Sequence, residues 1–364
     1  MRIFFMNHSP IKSVYFSKNS NDFVVKEIPL YEFSGNGEHL VLLVRKKELT
    51  TWQMLQDLSS FCGAKIRDFG YAGLKDKDGM TTQYISIHKQ YKDKLKNFSH
   101  EKMKILSSTY HDNKLKIGHL KGNNFFIRLK KVLKVDAQKL IQACERIKKD
   151  GYPNYFGYQR FGRDGDNFKE GRAILEGKRK EHNKKLKDFL ISAYQSELFN
   201  RWLSKRVEIS KYFDSFASGE IGKILNFSKD EIDKIKNESH FFKLLDGDVL
   251  HHYPHGKMFL CEDATSESKR FADRNITIAG LLLGKKVLEA QSRAKEIEEE
   301  IYKDEMFLGQ KLDGTRRFAW CFAEDFEYKY KEEEAHFEIS FTLQKGSYAT
   351  VVLEEILGCF LDEL

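Results

Sequence analysis

Residues 70–84 read GYAGLKDKDGMTTQY, with three glycines, two lysines, two aspartates and two threonines. Asp76 stands between Lys75 and Lys77, and a carboxylate so placed can act as a nucleophile at a sugar anomeric carbon or an activated ring carbon. That role requires an ionised carboxylate, which a neighbouring cation such as Lys75 favours. Glycines allow a planar substrate to approach the backbone. Thr81, Thr82 and Gln83 offer uncharged hydrogen-bonding groups suited to the edge of a base. A solvated surface turn has the same composition, and this stretch alone leaves both readings open.

Other chemistries find less support. The run HHYPH supplies His251, His252 and His255, but Pro254 disfavours the helix that would align them, and no further ligand stands at metal spacing. A calcium loop counted from Asp76 would need glycine sixth and a carboxylate twelfth, where Thr81 and Ile87 stand. Gly35 and Gly37 precede a strand, whereas a dinucleotide fingerprint follows one. No metal site and no cofactor-binding loop is read from the sequence. Sixty-two basic residues against 54 acidic ones give a net charge of +8, compatible with a phosphate-bearing partner. The stretch 178–187 carries six Lys or Arg, Lys178, Arg179 and Lys180 among them, and Arg160 lies among aromatics and glycines in NYFGYQRFG. Arginine and aromatics in a bent loop suit stacking on bases; packing inside the protein is the alternative. Five scattered cysteines suggest a reducing compartment, and apolar runs are too short for a membrane span or a signal core. A cytoplasmic monomer is expected.

Several elements must position these residues. Residues 22–28 and 39–45 read as strands, the second buried on both faces. TWQMLQDLSSFC reads as a helix capped by Thr50 or Thr51, with a stripe of Met54, Leu55, Leu58 and Phe61, ended by Gly63. TTQYISIHK alternates as a strand, so Asp76 falls in a helix-to-strand loop. A strand over NNFFIRLKKV places Phe125, Ile127 and Leu129 on one side. Asp136 caps a helix over 137–150. Helical texture dominates afterwards, near 168–177, 186–207 and 292–305, while 210–285 shows no clear period. Strands return at 316–331 and 336–343, followed by a helix from Ser347 onward. The pattern is α+β, interrupted by an insertion.

Taken together, these motifs resemble the TruD family of tRNA pseudouridine synthases. Gly73-Leu74-Lys75-Asp76-Lys77-Asp78-Gly79-Met80-Thr81-Thr82-Gln83 matches the family pattern around its nucleophile, departing only where Gly79 replaces the usual alanine. Gly122-Asn123-Asn124-Phe125 matches its Gly-Asn-x-Phe, the run Asn154 to Gly162 is complete, and SAYQSELFN at 192–200 matches another segment. The N-terminal DFVVKEIPLYEFSGNGEHL and the late KGSYATVVLEEIL agree as well. The resemblance implies a synthase core with a mixed, mainly antiparallel sheet, in residues 1–153 and 306–364, interrupted by an α/β TruD-specific domain over 154–305. It implies Asp76 as nucleophile and Phe125 stacking on the target base, with Glu27, Lys75 and Asn123 as polar active-site groups beside Thr81 and Gln83. Arg160 and Lys178–Lys180 become RNA contacts.

The implied reaction is isomerisation of a tRNA uridine to pseudouridine, typically at position 13 in the dihydrouridine arm. A base leaving its stack costs a few kcal/mol, and stacking on an aromatic ring returns roughly 1–3 kcal/mol. Two rivals share the residues: a non-catalytic RNA-binding or RNA-folding protein, for which Asp76 is dispensable, and a nucleoside hydrolase, which releases free base.

Overall fold

The computed structural model describes residues 2–162 and 164–364. The chain divides into two compact units. One comprises residues 11–144, 323–349 and 360–364; the other comprises 1–10, 145–322 and 350–359.

The unit that carries Asp76 is built on an eight-stranded sheet. Its strands are β1 (Phe23–Pro29), β2 (His39–Lys47), β3 (Gly70–Tyr71), β4 (Met80–His88), β5 (Met103–His111) and β6 (Leu120–Leu129), joined by Glu324–Lys331 and His336–Gln344. In space the order is 324–331, 336–344, β6, β1, β4, β2, β5, with β3 paired to β4 off that path. Only β1 and β4 run parallel; every other neighbouring pair is antiparallel. The fold is thus α+β with a mixed, mainly antiparallel sheet.

Side chains alternate across each strand, so the register defines what shares a face. Lys46 lies opposite Thr81, Thr81 opposite Val25, Val25 opposite Phe125, and Phe125 opposite Phe341. One step along the same face come Val44 opposite Gln83 and Glu27 opposite Asn123. Helix α1 (Thr51–Cys62) covers the β2–β4 end of this face. Leu40, Leu42, Val44, Ile85 and Ile87 from the sheet pack there with Met54, Leu55, Leu58 and Cys62 from the helix. Thr50 caps α1: its hydroxyl accepts the Gln53 N–H while the Gln53 side chain accepts the Thr50 N–H. That reciprocal pair satisfies two N-terminal donors. Gly63 stops the helix in the left-handed conformation, φ 74°. Phe61, expected in the apolar stripe, is instead exposed and meets Phe98 edge-on at 5.0 Å. The i, i+4, i+8 set Met54, Leu58, Cys62 runs down the buried side in its place.

Other expectations move by a turn or so. The helix predicted over 137–150 spans Lys134–Asp150, leaving Asp136 inside its first turn, where it accepts the Ser13 hydroxyl at 2.6 Å. The helix expected from Ser347 onward is confined to Ala349–Leu357. In the other unit a 32-residue helix, Lys184–Ser215, accompanies a four-stranded antiparallel sheet. Its strands include 249–252, 258–260 and 276–282, in the region where the sequence shows no period, and 315–318. Among the described residues, no helix is long and apolar enough to cross a membrane.

Candidate active site

Asp76 lies in the loop between β3 and β4, exposed to solvent. The loop has little regular structure, yet buried side chains hold its backbone at several points. The Lys75 N–H donates to the Thr51 hydroxyl oxygen at 2.9 Å. That hydroxyl in turn donates to Gln83 Oε1 at 3.1 Å, and Gln83 Nε2 donates to the Gly73 carbonyl at 3.4 Å. The Lys46 ammonium donates to the Asp76 carbonyl at 2.8 Å and to the Leu49 carbonyl at 2.5 Å. The first turn of α1 and the facing ends of β2 and β4 therefore clamp the residue that carries the carboxylate.

Lys46, which holds the loop that carries Asp76, is a residue that sequence reasoning missed. Its side chain is 1 % exposed. Burial lowers its pKa from an ordinary lysine's to about 8; the Asp76 carboxylate pulls it upward and Lys75 pushes it further down. A signal for it existed: Leu40, Leu42 and Val44 alternate along β2 onto the core face, and the next residue in that alternation is Lys46. A lysine on a core face needs a partner, and the partners here are carbonyls of the clamped loop. Thr51 was legible only as a cap; Thr50 does the capping, which leaves the Thr51 hydroxyl for the loop.

Lys75 does not pair with Asp76. Its ammonium lies 2.5 Å from Glu27 Oε2, both side chains buried, while Glu27 Oε1 accepts the Tyr84 N–H at 3.2 Å. Among the described residues the Asp76 carboxylate makes no ion pair, so the nearby positive charge acts on it through space rather than through a bond. Gln83, expected to read a base edge, is fully buried with both ends of its amide engaged by the loop and Thr51. It anchors the loop.

Among the described residues, two polar atoms on the same face have no partner. Thr81 Oγ1 and Asn123 Oδ1 are buried and make no hydrogen bond to any described residue. Burying an unsatisfied polar group costs roughly 1–3 kcal/mol, so such atoms ask for a ligand or water. Phe125 shares the Thr81 row and is the next residue on that face of β6 after Asn123; it is 8 % exposed, its ring 6.3 Å from Phe23 and 5.8 Å from Phe341. The structure thus brings Glu27, Lys75, Thr81, Gln83, Asn123 and Phe125 onto or beside one face with Asp76 at its edge. Gly79 explains its own departure from the family pattern: it adopts φ +80°, and a Cβ there would stand 2.6 Å from the Phe23 carbonyl oxygen.

The remaining candidates belong to the other unit. Arg160 donates to the Ser196 hydroxyl at 3.2 Å and lies over the Phe156 and Phe189 rings. Tyr155 and Phe156 are buried, so packing accounts for most of that aromatic loop. Lys178 pairs with Glu176 at 2.7 Å, and Arg179 pairs with Glu170 and Glu181. Lys180 is exposed.

An exposed carboxylate on a clamped loop, with a sheet face nearby that carries an aromatic side chain and two polar atoms lacking partners among the described residues, is the class of site that can do covalent or electrostatic work on a planar ring. A solved structure from Methanosarcina mazei, named for tRNA pseudouridine synthase D (TruD), superimposes with a TM-score of 0.72 over 100% of this chain and 98% of its own, at 20% identity. At that identity the likeness speaks for the fold alone.

Sequence likeness then decides the family. The pattern of the family tRNA pseudouridine synthase D (TruD) matches residues 1–183 and 179–356. The tRNA pseudouridine synthase D of Campylobacter jejuni is 58% identical over 98% of this chain and 95% of its own. Those of a Nitratiruptor species and of Sulfurimonas denitrificans are 53% and 48% identical, over 98% of this chain and 97% and 98% of theirs. This chain belongs to the TruD family of tRNA pseudouridine synthases.

Proposed function

We propose that this protein isomerises a uridine of tRNA to pseudouridine with Asp76 as its nucleophile, the uridine being position 13 of the dihydrouridine arm. The observation that carries this reading is the constellation on one sheet face. Asp76, an exposed carboxylate on a clamped backbone, leads into the strand whose Thr81 shares a sheet face with Phe125 and Asn123, and Thr81 Oγ1 and Asn123 Oδ1 are buried oxygens that lack partners among the described residues.

The target uracil leaves its stack and lies against Phe125. Thr81 and Asn123 supply hydrogen bonds to its polar edge. Asp76 assists cleavage of the N1–C1′ bond, by attack at C1′ or by promoting loss of the C2′ proton. The detached uracil turns and rejoins C1′ through C5, and the C5 proton departs to restore the aromatic base. Every atom of the nucleoside is retained, so no oxidant, reductant or co-substrate enters the balance. The unit built on the eight-stranded sheet serves as catalytic core, and the intervening segment serves as the family's inserted domain. The enzyme acts as a cytoplasmic monomer without a cofactor.

The test is an unmodified tRNA transcript incubated with wild type and with Asp76→Asn. Pseudouridine is mapped by carbodiimide and primer extension, and tRNA affinity is measured in parallel. One new pseudouridine from wild type alone, with affinity within a few-fold for both, is the expected result. Binding by both without modification, over a panel of tRNAs, would leave an RNA-binding protein instead. Free uracil would indicate a hydrolase.

A further inference from the structure

The chain has three tryptophans, and they are placed very differently. Trp202 and Trp320 are 1 % and 0 % exposed, within the unit that lacks Asp76, whereas Trp52 is 45 % exposed. Trp52 lies in the first turn of α1, next to Thr51, whose hydroxyl holds the Lys75 N–H. It does not belong to the helix's packed side, which Met54, Leu55, Leu58 and Cys62 form. Its ring meets Tyr71 at 6.0 Å and nearly perpendicular, and Tyr71 packs in turn on the core. Leu74, two residues before Asp76, is 61 % exposed. A lone exposed apolar side chain needs no explanation. An indole braced edge-on by a tyrosine, with an exposed leucine beside the same loop, is a firm apolar surface at the rim of the site.

The charge around it selects the ligand. Lys47, just before α1, and Lys77, beside Asp76, are both exposed, and among the described residues neither forms an ion pair. An exposed aromatic face with uncommitted cations on the segments next to it in the chain fits a nucleotide, with its base on the indole and its phosphate toward the lysines.

We propose that Trp52, supported by Tyr71 and Leu74, is a stacking platform for an unpaired base of the RNA, adjacent to the uridine presented to Asp76. This inference rests on the RNA reading above and adds a second base site to it. Because Trp202 and Trp320 are enclosed, indole emission that responds to RNA reports Trp52. An unmodified tRNA transcript titrated into wild type is expected to quench that emission, and Trp52→Phe is expected to abolish the response. Trp52→Ala should raise KM for the transcript by about 5- to 150-fold with kcat within about threefold, the range that loss of one stacked base implies. Trp52→Phe should fall between. The exposed position lets both variants fold, which an unchanged melting temperature would verify. Transcript binding that leaves emission unchanged, or Trp52→Ala with wild-type KM, overturns the platform. Quenching without any pseudouridine would support the platform and overturn the synthase reading, so the two failures are distinguishable.

Discussion

Replacing Lys46 by methionine tests whether the clamp on Asp76 is electrostatic and geometric or only structural. Methionine nearly matches lysine in length but removes the charge and both hydrogen bonds, to the carbonyls of Leu49 and Asp76. A hydrogen bond from a charged group contributes roughly 1.5–3 kcal/mol. If the bond to the Asp76 carbonyl matters mainly in the reacting geometry, its loss lowers kcat by about 10- to 100-fold. Affinity for tRNA should stay within about threefold, because a side chain 1 % exposed cannot reach a phosphate. The sign of the pH effect follows from burial. The folded-state pKa, about 8, lies below the ordinary lysine value of 10.5. The cost of burying the cation is therefore fully present below pH 8. It is relieved between pH 8 and 10.5, where the folded protein sheds the proton and the unfolded chain keeps it, so this residue's contribution to stability rises with pH across that window. Activity should move the other way, with kcat falling through an apparent pKa near 8 as Asp76 loses its nearby positive charge. Lys46→Arg should remove that alkaline limb, at reduced kcat. The assay is pseudouridine formation on a tRNA transcript under saturating conditions from pH 6 to 9.5, with melting temperatures across the same range. A methionine variant that keeps wild-type kcat throughout would refute the reasoning.

Two further substitutions probe the same face. Phe125→Leu should lower single-turnover rates more than tRNA affinity, since stacking matters only after the base has left the helix; equal losses would deny the ring that role. Leucine is the cleaner probe because Phe→Ala in a core costs about 3–5 kcal/mol, and Phe125 also packs on Phe23 and Phe341. Gly79→Ala, although it restores the family's usual residue, should destabilise this protein by at least the roughly 1–2 kcal/mol of a left-handed non-glycine residue, and its Cβ would press on the Phe23 carbonyl. A thermal melt unchanged by that substitution would mean the loop can change its backbone freely.

Much of the sheet was legible because its strands have one clear period. Phe125, Ile127 and Leu129 alternate in the sequence and are the buried side of β6. Cap and alternation signals put Asp76 after α1 and before β4, but the two-residue β3, too short to show a period, makes its loop a strand-to-strand one. The clamp was not legible, since hydrogen bonds from Thr51, Gln83 and Lys46 depend on register between β2 and β4, which no local pattern encodes. Gln83 looked available for a base because an amide in a strand has no sequence mark of being buried. Lys46 fell just past the strand read over 39–45. In the other unit the strands at 249–252 and 258–260 are too short to display a period, and 276–282 is buried nearly throughout, so alternation had nothing to report. The fate of the basic run at 178–180 depended on acids at 170, 176 and 181 that composition alone cannot pair.

The order of strands in the eight-stranded sheet also bears on how the enzyme comes into being. Strand His336–Gln344 supplies Phe341 to the ring packing of Phe125, pairing with β6 across an intervening stretch of more than 200 residues that includes the whole segment 145–322. On the ribosome, β1 to β6 emerge early with the far edge of β6 unpaired, and they wait while the intervening segment is synthesised. Contacts of such long separation form slowly, and an open strand edge is prone to wrong partners in the interval. Asp76, its clamp and Phe125 are all encoded before residue 130. The ring packing of Phe125 nevertheless stays open on one side until the chain has been made past residue 341, so catalytic competence arrives as a late event in the birth of the molecule.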